Sequence, residues 1–327
     1  MSGSSSPAGG LRTVFFGTPE FAVPTLAAMV EAGFAPLWVV SQPARPVGRK
    51  RVLTQPPVAA WAEAHGFELV QPEKVNRRDF LERIEAAEVD VAVVVAFGQI
   101  FRKRLLAAPR HGCLNLHASL LPKYRGAAPI QAAVAAGDEV TGATVMRMEA
   151  GLDSGPMLRT VELAIGPDET AVELSPRLAE AGAQALVETL RELAKGPLPG
   201  TPQQHDLATF APRLTKDDAQ VDWGLEARRI YDRWRAHTPW PGLASGWRGR
   251  AVKLLKVEVI SDVATGCRAG EVLGLSQQGL EVACGSGTIL RVERLQLAGK
   301  QAIAAADFVN GERPAPGEAF APLDDGV

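Results

Sequence analysis

Residues 11–41 read LRTVFFGTPEFAVPTLAAMVEAGFAPLWVVS, and this stretch decides the fold class. The apolar run at residues 11–16 predicts a first strand, Gly17 a turn, residues 19–32 a helix and residues 37–41 a second strand. Short apolar runs that alternate with amphipathic stretches are typical of a parallel sheet covered by helices. The stretch therefore predicts a Rossmann-like α/β fold.

The turn after the first strand, FFGTPEF at residues 15–21, contains a single glycine. It is neither the G-x-G-x-x-G fingerprint of dinucleotide-binding folds nor a P-loop. A dinucleotide cofactor is therefore not supported, although the order of strand, glycine and helix is the one that such folds use.

The same alternation continues to residue 193. Further strands are predicted at residues 67–70, 89–95, 113–118, 141–148 and 157–163, and helices at residues 58–65, 79–86, 99–106, 127–136 and 170–193. The following segment, GPLPGTPQQHDLATFAP, is rich in Pro, Gly and polar residues without periodicity, which predicts a linker. Beyond it, a small barrel or sandwich is predicted from a basic helix at residues 225–236 and strands at residues 251–260, 269–273, 279–283 and 288–297.

A chain of 327 residues exceeds the size at which one hydrophobic core usually stops growing, so two domains are expected. The predicted divisions are a disordered tail at residues 1–10, a first domain at 11–195, the linker at 196–212 and a second domain at 213–327. The tail, MSGSSSPAGG, has no basic residue and no apolar segment, unlike a secretory signal or a transit peptide.

The composition excludes several classes of protein. Apolar residues make up 46% and charged residues 22%, as in folded globular proteins and unlike disordered ones. The longest apolar runs are far shorter than the roughly 20 residues that cross a bilayer, so no membrane partner is expected. Three scattered cysteines form no disulfide framework and indicate a reducing compartment, which we take to be the cytoplasm.

The formal net charge of −2 argues against a chain coated with nucleic acid, but basic residues are concentrated locally. Residues 91–137 hold six basic residues and no acid, and residues 228–256 hold eight basic residues and one acid, Asp232. A third, short basic run lies at residues 45–51. Each run alone is equally compatible with a solvated face and with a binding surface.

The densest polar cluster, GCLNLHASLLPKYRGAAPIQ at residues 112–131, falls where a predicted strand ends. Ligands bind outside the carboxyl ends of parallel strands, and residues two apart share one side of a strand, so Asn115 and His117 are expected to face one reacting centre. Downstream, MEAGLDSGPML places Asp153 in a loop between two predicted strands, which is typical of a functional carboxylate.

These three residue types suit acyl transfer to an amine. A neutral His can take the proton of an attacking amine, an Asp can orient that His or stabilise its cation, and an Asn amide can donate to a carbonyl oxygen as it becomes anionic. None of these roles needs a metal. A structural His117, a turn-capping Asn115 and an Asx-turn Asp153 remain alternatives, whereas zinc ligation by Cys113 and His117 lacks a second pair of ligands.

Several stretches resemble the formyltransferases that use 10-formyltetrahydrofolate. In the first half they are FFGTPEF, QPARPVGRK at residues 42–50, VVVAFGQI at 93–100, NLHASLLPKYRGAAPIQ at 115–131 and GLDSGPML at 151–158. In the second half, VDWGLEARRI, HTPWPG and LQLAGKQAIAAADFVNG are similar to the members of that family whose acceptor is methionyl initiator tRNA.

The resemblance implies a formyltransferase domain followed by an OB-like barrel, 10-formyltetrahydrofolate as co-substrate, no metal, and methionyl initiator tRNA as the partner of a monomeric enzyme. It implies that Asn115 binds the formyl oxygen and that His117 acts as base or stabilises the tetrahedral intermediate. Asp153 would hold His117 and help to move the proton.

The resemblance also implies binding residues. A pterin pocket would be lined by Phe97, Gly98, Ser119, Leu120, Leu121 and Pro122. The tRNA contacts would be Arg45, Arg49, Lys50, Arg51, Arg228, Arg235, Arg250, Lys253 and Lys256, with Arg49 entering the acceptor stem. Such phosphate contacts supply affinity more than sequence specificity.

Two other functions remain open at this point. The same donor can serve an enzyme that formylates a small amine, such as a nucleotide-linked amino sugar. A third hypothesis is an RNA-binding protein whose catalytic domain has decayed, against which the intact Asn115, His117 and Asp153 argue.

Overall fold

Two groups of strands, each with its own hydrophobic core, divide the chain into two units. The computed structural model describes residues 10–48, 50–263 and 266–323. The first unit consists of Met1–Pro129, Val140–Ala164 and Glu173–Pro212, and the second of Ile130–Glu139, Ile165–Val172 and Arg213–Val327. Residues 196–212, the predicted linker, thus belong to the first unit.

The first unit alternates strands and helices along most of its length. Its strands are β1 (Thr13–Gly17), β2 (Val39–Val40), β3 (Arg45–Val47), β4 (Val52–Thr54), β5 (Leu69–Val70), β6 (Val91–Val95), β7 (Cys113–His117), β8 (Arg125–Gly126), β9 (Val140–Arg147), β10 (Met157–Ala164) and β11 (Phe210–Ala211). The helices of this part of the chain are α1 (Val23–Glu31), α2 (Pro57–Ala64), α3 (Arg78–Ala86), α4 (Lys103–Ala107), α5 (Pro129–Ala136) and α6 (Ala171–Leu193). Most of α5 and the first two residues of α6 fall in the second unit.

Seven of these strands form the central sheet, in the order β10-β9-β7-β6-β1-β2-β5. Five neighbouring strands are parallel to one another: β7, β6, β1, β2 and β5. Strand β9 is antiparallel to β7, and β10 is antiparallel to β9. Both faces are covered: Phe15 of β1 packs against α1, α2 and α6, whereas Val14 and Phe16 pack against α3 and α4. The strands are therefore continuous apolar runs, because side chains alternate between two buried faces.

The order of the strands positions the candidate site. The chain runs from β1 to β2 and β5 on one side, then crosses to β6 and β7 on the other side of β1. In open α/β sheets, ligands bind at such a switch point, outside the carboxyl ends of the strands. The register pairs Val94 with Asn115, so the loop after β6 and the end of β7 share this edge.

The second unit is built on a separate antiparallel sheet. Its strands are β12 (Leu243–Trp247), β13 (Arg250–Val263), β14 (Val272–Leu275), β15 (Leu280–Ala283), β16 (Thr288–Leu297) and β17 (Ile303–Ala304), and its own helices are α7 (Ala227–His237) and α8 (Ala305–Glu312). The order is β12-β13-β16-β15-β14, with β17 on β16. Bridges from Gly246 to Ala321 and from Glu271 to Ala319 tie one segment to both edges, as a closing barrel requires.

The predicted Rossmann-like sheet followed by a second, β-rich part is confirmed. Elements with strong periodicity agree within a few residues, but the helix predicted at residues 99–106 is the shorter α4. The prediction missed α8, β12, the β3–β4 hairpin and the two-residue pair of β8 with β11. Over the described ranges, no helix is long and apolar enough to cross a membrane.

Candidate active site

Asn115 and His117 lie at the carboxyl end of β7, on the face opposite Leu114 and Leu116. Asn115 is half-buried, and its side-chain amide makes no hydrogen bond to any residue that the structure describes. The amide is therefore free to donate to a ligand. His117 is only 6% exposed, so its imidazole reaches a ligand from a largely dry site.

Hydrogen bonding fixes the protonation pattern of the His117 ring. Its Nε2 lies 2.9 Å from the carbonyl oxygen of Tyr124, and its Nδ1 lies 3.7 Å from Oδ2 of Asp153. Because a carbonyl oxygen can only accept, Nε2 carries the proton and donates. In the neutral ring the lone pair is then on Nδ1, and this atom is the candidate base.

Asp153 has a backbone φ of 44°, the left-handed region that few residues other than glycine adopt. Its Oδ2 accepts a hydrogen bond of 2.9 Å from the amide of Gly126. At 3.7 Å, this carboxylate does not hold the neutral His117 ring by a direct hydrogen bond. The expectation that Asp153 holds His117 is thus corrected: the Tyr124 carbonyl holds the ring, and Asp153 faces the basic nitrogen.

Position 126 requires a glycine, because the backbone of Ala211 lies very close to it. Its φ is 125°, and a Cβ built on it would lie 2.5 Å from the carbonyl oxygen of Ala211. The approach arises because β8 pairs in parallel with β11, which places Phe210 opposite Arg125 and Ala211 opposite Gly126. The amide that binds Asp153 is therefore positioned by a segment about 85 residues further along the chain.

The loop after β6 contains Phe97 and Gly98, two of the residues predicted to line the pterin pocket. The carbonyl of Phe97 already accepts hydrogen bonds from Thr18 Oγ1 (3.0 Å) and Gln42 Nε2 (3.2 Å), and the Phe97 ring packs on Phe16. Gly98 is exposed with a φ of 87°, and a Cβ there would meet nothing within 4 Å. Open space therefore lies beside the exposed backbone of Gly98, whereas the Phe97 carbonyl already has two hydrogen-bond donors.

The residues of the loop at 119–122 differ in their burial and in their hydrogen bonds. Ser119 is completely buried, and its hydroxyl donates to the carbonyl of Lys123 at 2.6 Å. The Leu121 amide donates to Thr144 Oγ1, and Leu121 is only 6% exposed. Ser119 and Leu121 therefore hold the loop in shape, whereas Leu120 and Pro122 are only half-buried.

The predicted basic loop at residues 45–51 begins in β3, which pairs with β4 in an exposed antiparallel hairpin. Arg45, Lys50 and Arg51 are exposed and form no ion pair with any other described residue. Arg49 lies outside the described residues. The three described basic residues are free to contact an anionic partner.

The structure divides the predicted basic residues of the second unit differently. Arg235 is 2% exposed, and its guanidinium binds Asp232 and the carbonyls of Gly166 and Glu169. The interpretation of Arg235 as a phosphate contact is therefore wrong, because every face of the group is occupied inside the unit.

Three other basic residues of the second unit already have acidic partners. Arg228 pairs with Asp232 at 2.9 Å, Lys256 pairs with Glu293 at 2.6 Å, and Arg250 pairs with Glu312. Lys253 is exposed and has no ion pair within the described part of the chain. Five basic residues of this unit were predicted to contact tRNA. Of these five, Lys253 is the one that could bind a phosphate group without first breaking an ion pair.

Zinc ligation by Cys113 is not supported by its surroundings. Cys113 is fully buried, its thiol donates to the carbonyl oxygen of Leu105 at 3.7 Å, and burial raises the pKa of this thiol to about 12. Within the described residues, no group of three or more His, Cys, Asp or Glu could hold a metal ion.

Burial also predicts how the three free cysteines react. Burial raises the pKa of both the Cys113 and the Cys284 thiols to about 12, whereas Cys267 is exposed. Because only the thiolate is nucleophilic, iodoacetamide at about pH 8 is expected to modify Cys267 alone in the folded protein. Peptide mass spectrometry checks this, with urea-unfolded protein as the control in which all three react. Modification of Cys113 before unfolding would contradict the buried position of β7.

The arrangement provides a donor for a carbonyl oxygen, a base and a carboxylate within one edge of the sheet. A carbonyl carbon held near Asn115 would meet an amide that stabilises negative charge on its oxygen. An amine near Nδ1 of His117 would lose its proton to that atom. The supporting groups, the Tyr124 carbonyl and the Gly126 amide, escaped prediction because backbone groups have no residue signature, and only the conformational signal of Gly126 could have indicated them.

Comparisons with known proteins agree with this chemistry. A family model described as Formyl transferase matches residues 11–190, and one described as Formyl transferase, C-terminal domain, matches residues 213–313. The methionyl-tRNA formyltransferase of Geobacter metallireducens is 46% identical over 309 residues, 94% of this chain and 98% of that protein. That of Anaeromyxobacter dehalogenans strain 2CP-1 is 47% identical over 304 residues, 93% and 97% of the two chains.

Among solved structures, an N-formyltransferase from Helicobacter canadensis, determined with folinic acid and dTDP-3-aminofucose, superposes with a TM-score of 0.63. The match covers 86% of this chain and 98% of that one at 14% identity, so it shows the fold alone. Because both family models match in order and relatives that are 46–47% identical are covered almost completely, the chain belongs to the formyl transferase family and, within it, to the methionyl-tRNA formyltransferases.

Proposed function

We propose that this protein transfers the formyl group of 10-formyltetrahydrofolate to the amino group of methionyl initiator tRNA. The observation that carries the proposal is the edge of β7, where the free amide of Asn115 lies two residues from the buried His117 ring whose Nδ1 faces Asp153. Membership of the methionyl-tRNA formyltransferases supports the choice of donor and acceptor.

The folate would supply the formyl carbon as the electrophile. Asn115 donates to the formyl oxygen and stabilises the negative charge that develops on it when the amine attacks. Nδ1 of His117 takes the proton of the amine, because Nε2 is committed to the Tyr124 carbonyl. The resulting imidazolium has an N–H directed at the Asp153 carboxylate, so a shift of under 1 Å converts the 3.7 Å separation into a hydrogen bond. When the bond between the formyl carbon and N10 of the folate breaks, Nδ1 gives this proton to N10, and tetrahydrofolate leaves as a neutral amine.

The folate would lie against the exposed backbone of Gly98 and the half-buried Leu120 and Pro122. These groups provide an apolar surface and backbone polar groups, which is the composition of pockets for flat organic ligands. Phe97, Ser119 and Leu121 shape this surface from beneath, through the hydrogen bonds already described.

The acceptor distinguishes this function from its nearest alternative. A single assay that offers methionyl initiator tRNA and a nucleotide-linked amino sugar with the same folate decides between them. Transfer to the tRNA and not to the sugar is expected. Preference for the sugar would replace the proposal, and absence of any transfer by folded protein would favour the RNA-binding alternative.

The basic hairpin predicts a salt-dependent contact with tRNA. Arg49→Ala is expected to weaken binding of the tRNA and to reduce the slope of log K against log salt by about 1, since one phosphate contact releases roughly one counterion. Filter binding at four salt concentrations measures the slope. Arg78→Ala, which removes an exposed arginine paired with Glu82, is the control and should leave the slope unchanged.

We also propose that the enzyme acts as a monomer in the bacterial cytoplasm. Free Cys113, Cys267 and Cys284 suit a reducing compartment. Sedimentation equilibrium at enzyme concentrations used in the assay tests the oligomeric state, and a dimer mass would refute the first part.

A further inference from the structure

The segment of residues 201–211, which we call the strap, lies outside the residues matched by either family model, which end at 190 and resume at 213. It is nevertheless held firmly to the first unit. Thr201 pairs with Met157 through two backbone hydrogen bonds of 2.8 and 2.9 Å, and β11 at its other end pairs with β8. The strap is therefore fixed to the first unit at both ends.

One strap residue, Gln203, points inward. It is 5% exposed, and its Nε2 donates to the carbonyl oxygens of Asp153 (2.8 Å) and Gly155 (2.7 Å). Its Oε1 accepts from the Arg125 guanidinium at 2.6 and 3.1 Å, and Arg125 also contacts Nδ1 of His205 at 3.0 Å. Both ends of this buried amide are thus satisfied, which fixes its orientation.

The strap makes hydrogen bonds to the two residues on which the geometry of His117 depends. Asp153 and Tyr124 both have left-handed backbone, with φ of 44° and 60°. Such a conformation is unfavourable for residues other than glycine and persists only where the surroundings hold it. Gln203 holds the Asp153 carbonyl, and Thr209 Oγ1 accepts a hydrogen bond of 2.9 Å from the Tyr124 amide.

We propose that Gln203, oriented by Arg125, is a positioning residue that keeps the Asp153 carboxylate facing Nδ1 of His117. Gln203 touches neither reacting group and acts through the backbone of the Asp153 loop. This inference rests on the proposed function for its kinetic consequence, but the placement of Asp153 itself is independent of turnover.

Gln203→Glu removes the hydrogen bonds that Gln203 donates to the Asp153 loop while it changes little else. Glutamate keeps the acceptor for Arg125 and the volume of the side chain, but it replaces the NH₂ donor by an oxygen that repels the carbonyls of Asp153 and Gly155. We expect kcat to fall about 10- to 100-fold with unchanged KM for both substrates, because a misplacement of about 1 Å can cost about 100-fold in rate. Gln204→Glu makes the same change at the neighbouring exposed residue and should match the unaltered enzyme.

A double-mutant cycle separates positioning from a general loss of structure. In an Asp153→Asn background, Gln203→Glu is expected to cost less than about 2-fold in kcat, since residues that act through one another are non-additive. An equal fold-loss in both backgrounds, or full activity of Gln203→Glu, would overturn the inference. If Gln203→Glu does not fold, Gln203→Met, which removes the donors without adding charge, takes its place in the cycle.

A second measurement needs no activity. The Gly126 amide donates to Asp153 Oδ2, so its hydrogen exchange reports whether the carboxylate is in place. Exchange at Gly126 should accelerate at least about 10-fold in Gln203→Glu and remain unchanged in Gln204→Glu. Should the wild-type protein transfer no formyl group, the proposed function fails while this result still decides the role of Gln203. Unchanged exchange at Gly126 would refute that role.

Discussion

His117→Ala is expected to lower kcat/KM for formyl transfer to methionyl initiator tRNA by about 10²- to 10⁴-fold, the usual contribution of a positioned general base. The buried ring presents Nδ1 as its basic atom, and among the described histidines His117 is the one that pairs with Asp153. The loss should appear mainly in kcat, because the base acts on the proton in the transition state and contributes little to binding of either substrate.

Two comparisons make this result specific. His65→Ala removes an exposed histidine that stacks on Trp61, and it should leave the rate unchanged. Thermal unfolding of His117→Ala should remain cooperative, which shows that the loss of rate is not a loss of fold. A folded His117→Ala protein with a rate close to that of the unaltered enzyme would remove His117 from the mechanism.

Asp153→Ala tests the partner of that base. It should also lower kcat by orders of magnitude, although less than His117→Ala does, because the carboxylate stabilises the imidazolium and does not take the proton of the amine itself. The same assay and unfolding measurement apply, and an effect confined to KM would assign Asp153 to substrate binding.

The parallel sheet could be predicted because its strands and helices have strong local periodicity. Strands such as β6 are buried on both faces and are continuous apolar runs of the length expected for this class. Two of the strands that escaped prediction, β8 and β11, have two residues each and exist only because distant parts of the chain meet. A segment such as the strap, aperiodic and rich in Pro, has the composition of a linker whatever it contacts.

The candidate site was predictable to the extent that it consists of side chains at a strand end. Asn115, His117 and Asp153 are visible in this way, and the structure brings them to one edge. The groups that orient them are of two other kinds. The Tyr124 carbonyl and the Gly126 amide are backbone, and Gln203 lies 78 residues from Arg125 in sequence. Neither local composition nor spacing contains such information.

The largest change in stability is expected from Arg235, for which the family resemblance implied a contact with tRNA. The ion pair of Arg235 with Asp232 is 2.6 Å long, and both side chains are at most 3% exposed. Removing one partner of a buried pair costs ~3–5 kcal/mol, because the other charge stays buried without compensation. Arg235→Ala should lie near the lower end, about 3 kcal/mol, since Arg228 still faces Asp232.

Lys253→Ala, in the same unit, should leave stability almost unchanged and should instead affect the binding of tRNA. Lys253 is exposed and has no ion pair among the described residues, so its removal should change stability by less than about 0.5 kcal/mol. If it contacts tRNA phosphate, Lys253→Ala should reduce the salt slope of binding by about 1, whereas Arg235→Ala should leave that slope unchanged under conditions where it is folded. Urea unfolding followed by tryptophan fluorescence and tRNA binding at several salt concentrations measure both quantities. An Arg235→Ala protein of full stability with a reduced salt slope would restore the original interpretation, because it would mean that the guanidinium leaves Asp232 to bind RNA.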